Sequence, residues 1–254
     1  MCKIRLNRNK NIGRVLFIVE GGRTEFSLLR RIFCDLLQYE YLEKRRHRET
    51  FFQSKNISTS KVTVINAKES HISYIANSEE YLDEQFQLLI EEYNFPVDQA
   101  AIYYLFDRDP ESNVQINLLE ELLDSLQDPY ENAYGMRGGL LLLSYPSIES
   151  YNVSCFLPES HNLQFGTGAE LKRITGNHPD IQLNKLSPQA LICAAQTMLE
   201  YYKRLDLDFS LDDQGNHNKR IFNNQEALYS AKKKYKLLSL LSVVFLQLGI
   251  LEFY

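Results

Sequence analysis

The order of apolar segments predicts an α/β fold: a mainly parallel sheet with helices on both faces, followed by a mostly helical C-terminal region. Three observations carry this. Val15–Val19 and Ala100–Phe106 are continuous apolar runs, the pattern of strands buried on both faces. Amphipathic stretches at helical spacing alternate with such runs as far as about residue 150. Beyond about residue 155 helical patterns follow one another.

Residues 1–13 read as a mobile basic arm with room for a short edge strand, since Lys3, Arg5, Arg8, Lys10 and Arg14 fall in the first 14 residues without an acid. The β-branched run Val15–Val19 ends on Glu20, then Gly21-Gly22, then Thr24, which is placed to cap a helix. That helix carries Phe26, Leu28, Leu29, Ile32, Phe33, Leu36 and Leu37 on one stripe and is expected to reach about Tyr39. A cationic run, Glu43 to Glu49, leads into the polar stretch Thr50–Ser60. Arg45, Arg46 and Arg48 could grip a phosphate backbone, with Phe51 or Phe52 offered for base stacking; a solvated surface is the plainer alternative. Val62–Asn66 alternates as a second strand, and 78–94 is an amphipathic helix stopped by Pro96. The third strand runs into Asp107-Arg108-Asp109, a helix covers Asn113–Leu126, and Leu140–Tyr145 is the fourth strand.

Carboxylates at the C-terminal ends of central strands, followed by glycines or a helix start, occupy the place where open α/β sheets keep their ligands. Side chains alternate along a strand, so Asp107 and Asp109 are expected to point one way and Arg108 the other. Two converging carboxylates repel unless a cation sits between them, and hard divalent cations take oxygen ligands. Past the fourth strand, Pro146 fixes the exit of the chain and Glu149 follows.

Glu20-Gly21 closing one strand and Asp107-x-Asp109 closing another resemble the TOPRIM domain of topoisomerases, primases and several nucleases. The fuller Glu-Gly-x-x-Thr-Glu, Glu20 to Glu25, is most similar to the small nuclease branch related to the overcoming-lysogenization-defect (OLD) family, in which a Pro-x-x-Glu element like Pro146–Glu149 also follows the last core strand. The resemblance spans roughly residues 13–150. It implies a TOPRIM-like (Rossmann-like) catalytic domain over 14–152, with Mg²⁺ or Mn²⁺ held by Glu20, Asp107 and Asp109 and with Glu25 and Glu149 completing a second metal position. It implies a metal-dependent endonuclease hydrolysing DNA or RNA, tRNA among them. Related stand-alone nucleases serve as effectors of bacterial anti-phage defence beside a separately encoded ATPase, so a partner ATPase is expected. Arg23, Arg108 and the lysines Lys232, Lys233 and Lys234 are the remaining candidates for phosphate contacts. The alternative is a non-catalytic TOPRIM-like module that binds a partner ATPase or nucleic acid. A phosphatase or response-regulator-like domain would need a supporting Lys at a later strand end, and Leu140–Tyr145 supplies none.

Residues 153–254 form the helical region, expected to serve as a partner or homodimer interface. Phe165–Gly168 is a turn without the Gly-Lys-Ser/Thr ending of a phosphate loop. Pro188–Leu205 is a helix, and Asp206–Asn218 reads as a flexible loop, although Asp212, Asp213 and His217 could also suggest a metal. Leu237–Leu251 reads as a buried or partner-docking helix, shorter than the ~20 apolar residues of a membrane span. The net charge of −5 does not advertise a nucleic-acid binder, but its distribution is uneven: nine acids and one base lie between 97 and 131. Cys2, Cys34, Cys155 and Cys193 show no Cys-x-x-Cys spacing, which argues against zinc and for reduced thiols. No apolar run follows the basic N-terminus as in a signal peptide, so a cytoplasmic location is expected.

Overall fold

The computed structural model describes residues 3–21, 23–43, 50–67, 72, 73, 75, 79–93, 95–131, 138–176 and 178–254. The chain divides into two compact units, one made of Asn11–Leu105 and Gln115–Leu141, the other of Met1–Lys10, Phe106–Val114 and Leu142–Tyr254.

The first unit is strand-rich. Its central strand is β2 (Arg14–Val19), in which Val15 to Val19 are all fully buried. Such a run cannot alternate with polar residues because both faces are covered. β2 pairs parallel with β5 (Lys61–Asn66) on one side and with β6 (Ala100–Asp107) on the other, in register Val19↔Asn66 and Val19↔Leu105. Beyond β5 the sheet continues antiparallel through β4 (Thr50–Ser54) to β3 (Tyr39–Glu43). On the other edge β8 (Gly139–Tyr145) lies beside β6 and is met antiparallel by β7 (Gln127–Asp128). The sheet is therefore mixed rather than mainly parallel.

The strands β3 and β4 correct the reading of this region as a solvated or nucleic-acid-binding loop. Phe51 and Phe52 are 8% and 0% exposed, so neither offers a face to a base. Phe52 stacks on Phe26 and Phe33, and Phe33 meets Tyr39 edge-on at 5.3 Å, so the aromatic residues build core instead. Arg45, Arg46 and Arg48 lie outside the described residues. The helix after β2 is α1 (Thr24–Arg30), continued by a π-helical turn over Arg31–Leu36 that buries Ile32, Phe33 and Leu36. The amphipathic helix expected at 78–94 is α2 (Glu79–Tyr93), and that expected at 113–126 is α3 (Ile116–Ser125).

In the second unit, β1 (Ile4–Leu6) pairs antiparallel with β12 (Leu251–Phe253). The basic arm is thus tied down over these residues, and Glu252 receives hydrogen bonds from Arg5 and Asn7. Helix α4 (Glu149–Phe156) is buried over nearly its whole length and packs against α6 (Pro188–Arg204). α6 starts where the sequence places it, with Ser187 accepting the Ala190 N–H and Pro188 in the first turn. Between them, β9 (Gln164–Phe165) leads into α5 (Gly168–Gly176). The loop expected up to Asn218 is shorter than predicted, since α7 spans Gln214–Lys232 and buries His217 and Asn218. β10 (Tyr235–Lys236) pairs with β9.

The apolar run Leu237–Leu251 is not one helix. Its first residues form β11 (Leu238–Ser239), paired with β8 in register Leu238↔Tyr145. Only α8 (Leu241–Gln247) is helical, and it ends just before Gly249, whose φ of +68° suits glycine. Leu241 to Leu246 are all buried within this unit, which leaves the helix no apolar face for a partner. Among the described residues no helix is long and apolar enough to cross a membrane.

Two histidines make this unit acid-sensitive. Burial, ahead of neighbouring charges, holds His161 and His217 below their ordinary value of 6.5. The unfolded chain then binds protons that the native imidazoles refuse, so this contribution is complete above about pH 6.5 and is lost as the pH falls. Urea midpoints should drop between about pH 7 and pH 5.5, and the drop should shrink in the His161→Gln/His217→Gln variant. An identical drop in that variant would assign the effect to other groups.

Candidate functional site

In the strand-rich unit, the residue after β2 is Glu20, whose N–H donates to the Leu105 carbonyl at 3.1 Å. Glu20 and Glu25 are 8% and 5% exposed. Thr24 was expected to cap α1, but it is the first helical residue, and Arg23 at the cap position makes no side-chain cap bond. The Glu25 carboxylate turns back instead and accepts the Gly21 N–H at 3.2 Å. A Cβ on Gly21 would stand 2.7 Å from that carboxylate, so the glycine is what lets Glu25 fold over the turn. Arg23 is exposed.

In the other unit, β6 ends on Asp107, and the carboxylates that the sequence singled out each have a defined place. Asp107 Oδ1 accepts the Ile148 N–H at 2.7 Å, at the first turn of α4. Asp109 accepts the Glu111 N–H through Oδ1 at 3.1 Å and the Gly168 N–H through Oδ2 at 2.9 Å. Glu149, the first residue of α4, accepts the Ser147 hydroxyl at 2.7 Å, and Lys172 of α5 brings its ammonium to 3.8 Å from the other Glu149 oxygen. Gly168 ties the group together: a Cβ there would lie 2.6 Å from Asp109 Oδ2 and 3.0 Å from Ser147 Cβ. Asp109, Ser147, Glu149, Gly168 and Lys172 are therefore neighbours, and the Ile148 N–H joins Asp107 to the same turn.

Ser147, Gly168 and Lys172 were not singled out by the sequence. The signal for Gly168 was present in Gly166-Thr-Gly168, a turn that serves the Asp109 carboxylate rather than a phosphate. Its geometry yields a direct expectation. Gly168→Ala forces apart Asp109 and Ser147 and should cost about 1–3 kcal/mol of stability, the usual penalty for overpacking a tight contact. Chemical denaturation measures it, and a loss below a few tenths of a kcal/mol would mean that the α5 turn yields freely.

Other sequence candidates separate. Arg108 was a candidate for contacting nucleic acid, but it is 2% exposed and its guanidinium forks onto both Glu226 oxygens at 2.8 Å while donating to the Asn113 carbonyl at 3.0 Å. A cation so held is part of the core and does not face a phosphate. Lys232, Lys233 and Lys234 are exposed at the C-terminal end of α7, where cations suit the helix dipole. Asp213 stands 3.7 Å from His217, whose ring packs edge-on against Tyr202, so this histidine belongs to the core.

The chain matches no protein-family model, no curated protein and no solved structure.

The site is thus read from its own chemistry. Every candidate ligand is a carboxylate oxygen, the donor type that hard divalent cations take. A carboxylate offers about four acceptor positions, so one or two N–H bonds leave capacity for an ion. Among the described residues, however, no group of three or more His, Cys, Asp or Glu side chains stands close enough to hold one. Glu20 and Glu25 belong to one unit and Asp107, Asp109 and Glu149 to the other.

Proposed function

We propose that this chain is a divalent-metal-dependent endonuclease that hydrolyses DNA or RNA. The observation that carries the reading is the acidic turn at the end of β6, where Asp109, Ser147, Glu149 and Lys172 are neighbours and Asp107 caps the next helix. Glu20 supports it, because it follows a strand that runs parallel to β6 in register Val19↔Leu105. In this reading Asp107, Asp109 and Glu20 would hold Mg²⁺ or Mn²⁺, with Glu25 and Glu149 serving a second ion. No three acids among the described residues stand close enough as they are, so the ion itself would have to draw its ligands together. A bound ion would supply neutralisation of charge on a scissile phosphate and a more acidic water. The chain's own contribution is to fix the carboxylates through backbone N–H groups and to place one cation, Lys172, beside them to offset charge that develops on phosphate.

The test is cleavage of plasmid DNA, single-stranded DNA and tRNA by the pure chain in Mg²⁺, Mn²⁺ or EDTA. Cleavage that needs metal and is lost in Asp109→Asn supports the reading; no cleavage of any of these, or cleavage that survives EDTA, counts against it. The resemblance in Glu20–Glu25 and Asp107-x-Asp109 further suggests an effector of anti-phage defence governed by a separately encoded ATPase, acting in the cytoplasm. One observation favours a second reading, a non-catalytic module: Asp107 and Asp109 both accept backbone N–H bonds, which gives them a structural use without any ion. Under that reading their replacement lowers stability and leaves no activity to lose.

A further inference from the structure

A separate feature of the second unit has no part in the chemistry above. A cavity of about 980 Å³ lies between the C-terminal end of α4, the turn Ser160–Asn162 and one side of α6. Small-molecule sites occupy roughly 300–1,000 Å³, so this volume admits a ligand of that class with room for its water. His161 lines it, is 2% exposed, and has no hydrogen-bond partner on either ring nitrogen. A buried polar group without a partner is rare in a folded protein, so a ligand group that met either nitrogen would be favoured there. Burial and, after it, the nearby Arg204 hold the pKa of this imidazole below its ordinary value, and the neutral ring they favour has one donor and one acceptor nitrogen.

Two cations border the same cavity. Arg204, in the last turn of α6, spends its guanidinium on the amide oxygen of Asn162 rather than on a carboxylate. Lys185 donates to the Pro179 carbonyl at 2.8 Å and reaches Asp180 at 3.4 Å. Of the lining acids, Glu200 is already paired with Lys203 at 2.7 Å. Gln189 and Gln196 add amides that both donate and accept, as the edge of a nucleobase does, and Phe156 adds apolar surface. A phosphate suits Arg204, which can bind it with two parallel N–H bonds. The neutral imidazole and the amides suit an uncharged heterocycle.

We infer that this cavity is a binding site for a nucleoside 5′-monophosphate, with the phosphate at Arg204 and the base at His161 and Gln196. The inference does not rest on nuclease activity. Isothermal titration of the full chain in EDTA, with AMP, GMP, CMP and UMP and with ribose 5-phosphate as the control, tests it. One or more of the nucleotides should bind one to one and more tightly than ribose 5-phosphate. Arg204→Gln should weaken that binding about tenfold or more, as loss of a charge-assisted pair does. His161→Phe should weaken it as well, and Gln196→Leu provides the same test should His161→Phe fail to fold. Asp109→Asn should leave it unchanged. Absence of binding, equal binding of ribose 5-phosphate, an unaffected Arg204→Gln variant, or loss in Asp109→Asn would each overturn the assignment.

Discussion

Replacing Asp107 by Asn, or Glu20 by Gln, is expected to reduce metal-dependent phosphodiester cleavage by roughly a hundred- to a thousandfold, the usual consequence of removing one group that stabilises charge in the transition state. The amide is chosen because it keeps an oxygen where Asp107 Oδ1 accepts the Ile148 N–H, so the first turn of α4 stays capped. Glu20 is a sterner test. Its backbone is fixed by the bond to Leu105, so Glu20→Gln alters charge without disturbing β2. If it must act with Asp107 and Asp109, its loss should match theirs, and the double variant should be no worse than either single one, because residues that act as a unit are not additive. Variants that retain activity while losing stability would instead favour the structural use of these carboxylates.

Removing one partner of the Arg108–Glu226 pair is expected to be the most destabilising single change, at about 3–5 kcal/mol, because an unpaired charge would be left buried. Arg108 and Glu226 side chains are 2% and 14% exposed, so solvent screens the pair little. The rings of Phe222 and Tyr235 flank the guanidinium at 5.9 and 5.6 Å, and Asn113 takes a third donor, so Arg108 holds the segment after β6 against α7 within its unit. Glu226→Ala should show the loss in chemical denaturation. Arg108→Met combined with Glu226→Leu should recover much of it, since replacing both charges by apolar groups removes the desolvation cost. A loss in Glu226→Ala below about 1 kcal/mol would mean that water reaches the guanidinium.

What the sequence makes legible here is what it encodes locally. Val15–Val19 and Ala100–Phe106 announce buried strands because every residue in them is apolar, and the acids that end them stand out by contrast. The parallel pairing of β2 with β6 follows from the strand–helix alternation between them. The strands β3 and β4 were hidden because each is five residues long, too short for its alternation to outweigh the cationic run between them. The pairing of β1 with β12 joins residues 247 apart, as Arg5 and Glu252 show, and no local pattern points across such a distance. The same holds for Arg108: between two aspartates it reads as a surface cation, and only the approach of Glu226, 118 residues later, makes it core. Leu237–Leu251 misled in the opposite way, since uniform apolarity cannot tell a buried strand from a buried helix.

The most direct measurement is anomalous diffraction at the manganese edge from crystals of the chain grown with Mn²⁺. The account predicts a peak at ligand distance, about 2.2 Å, from carboxylate oxygens of Asp107 and Asp109, and no such peak in crystals of Asp107→Asn. Manganese bound elsewhere, or Asp107 and Asp109 still accepting the N–H groups of Ile148, Glu111 and Gly168 with no manganese beside them at saturating Mn²⁺, would contradict it.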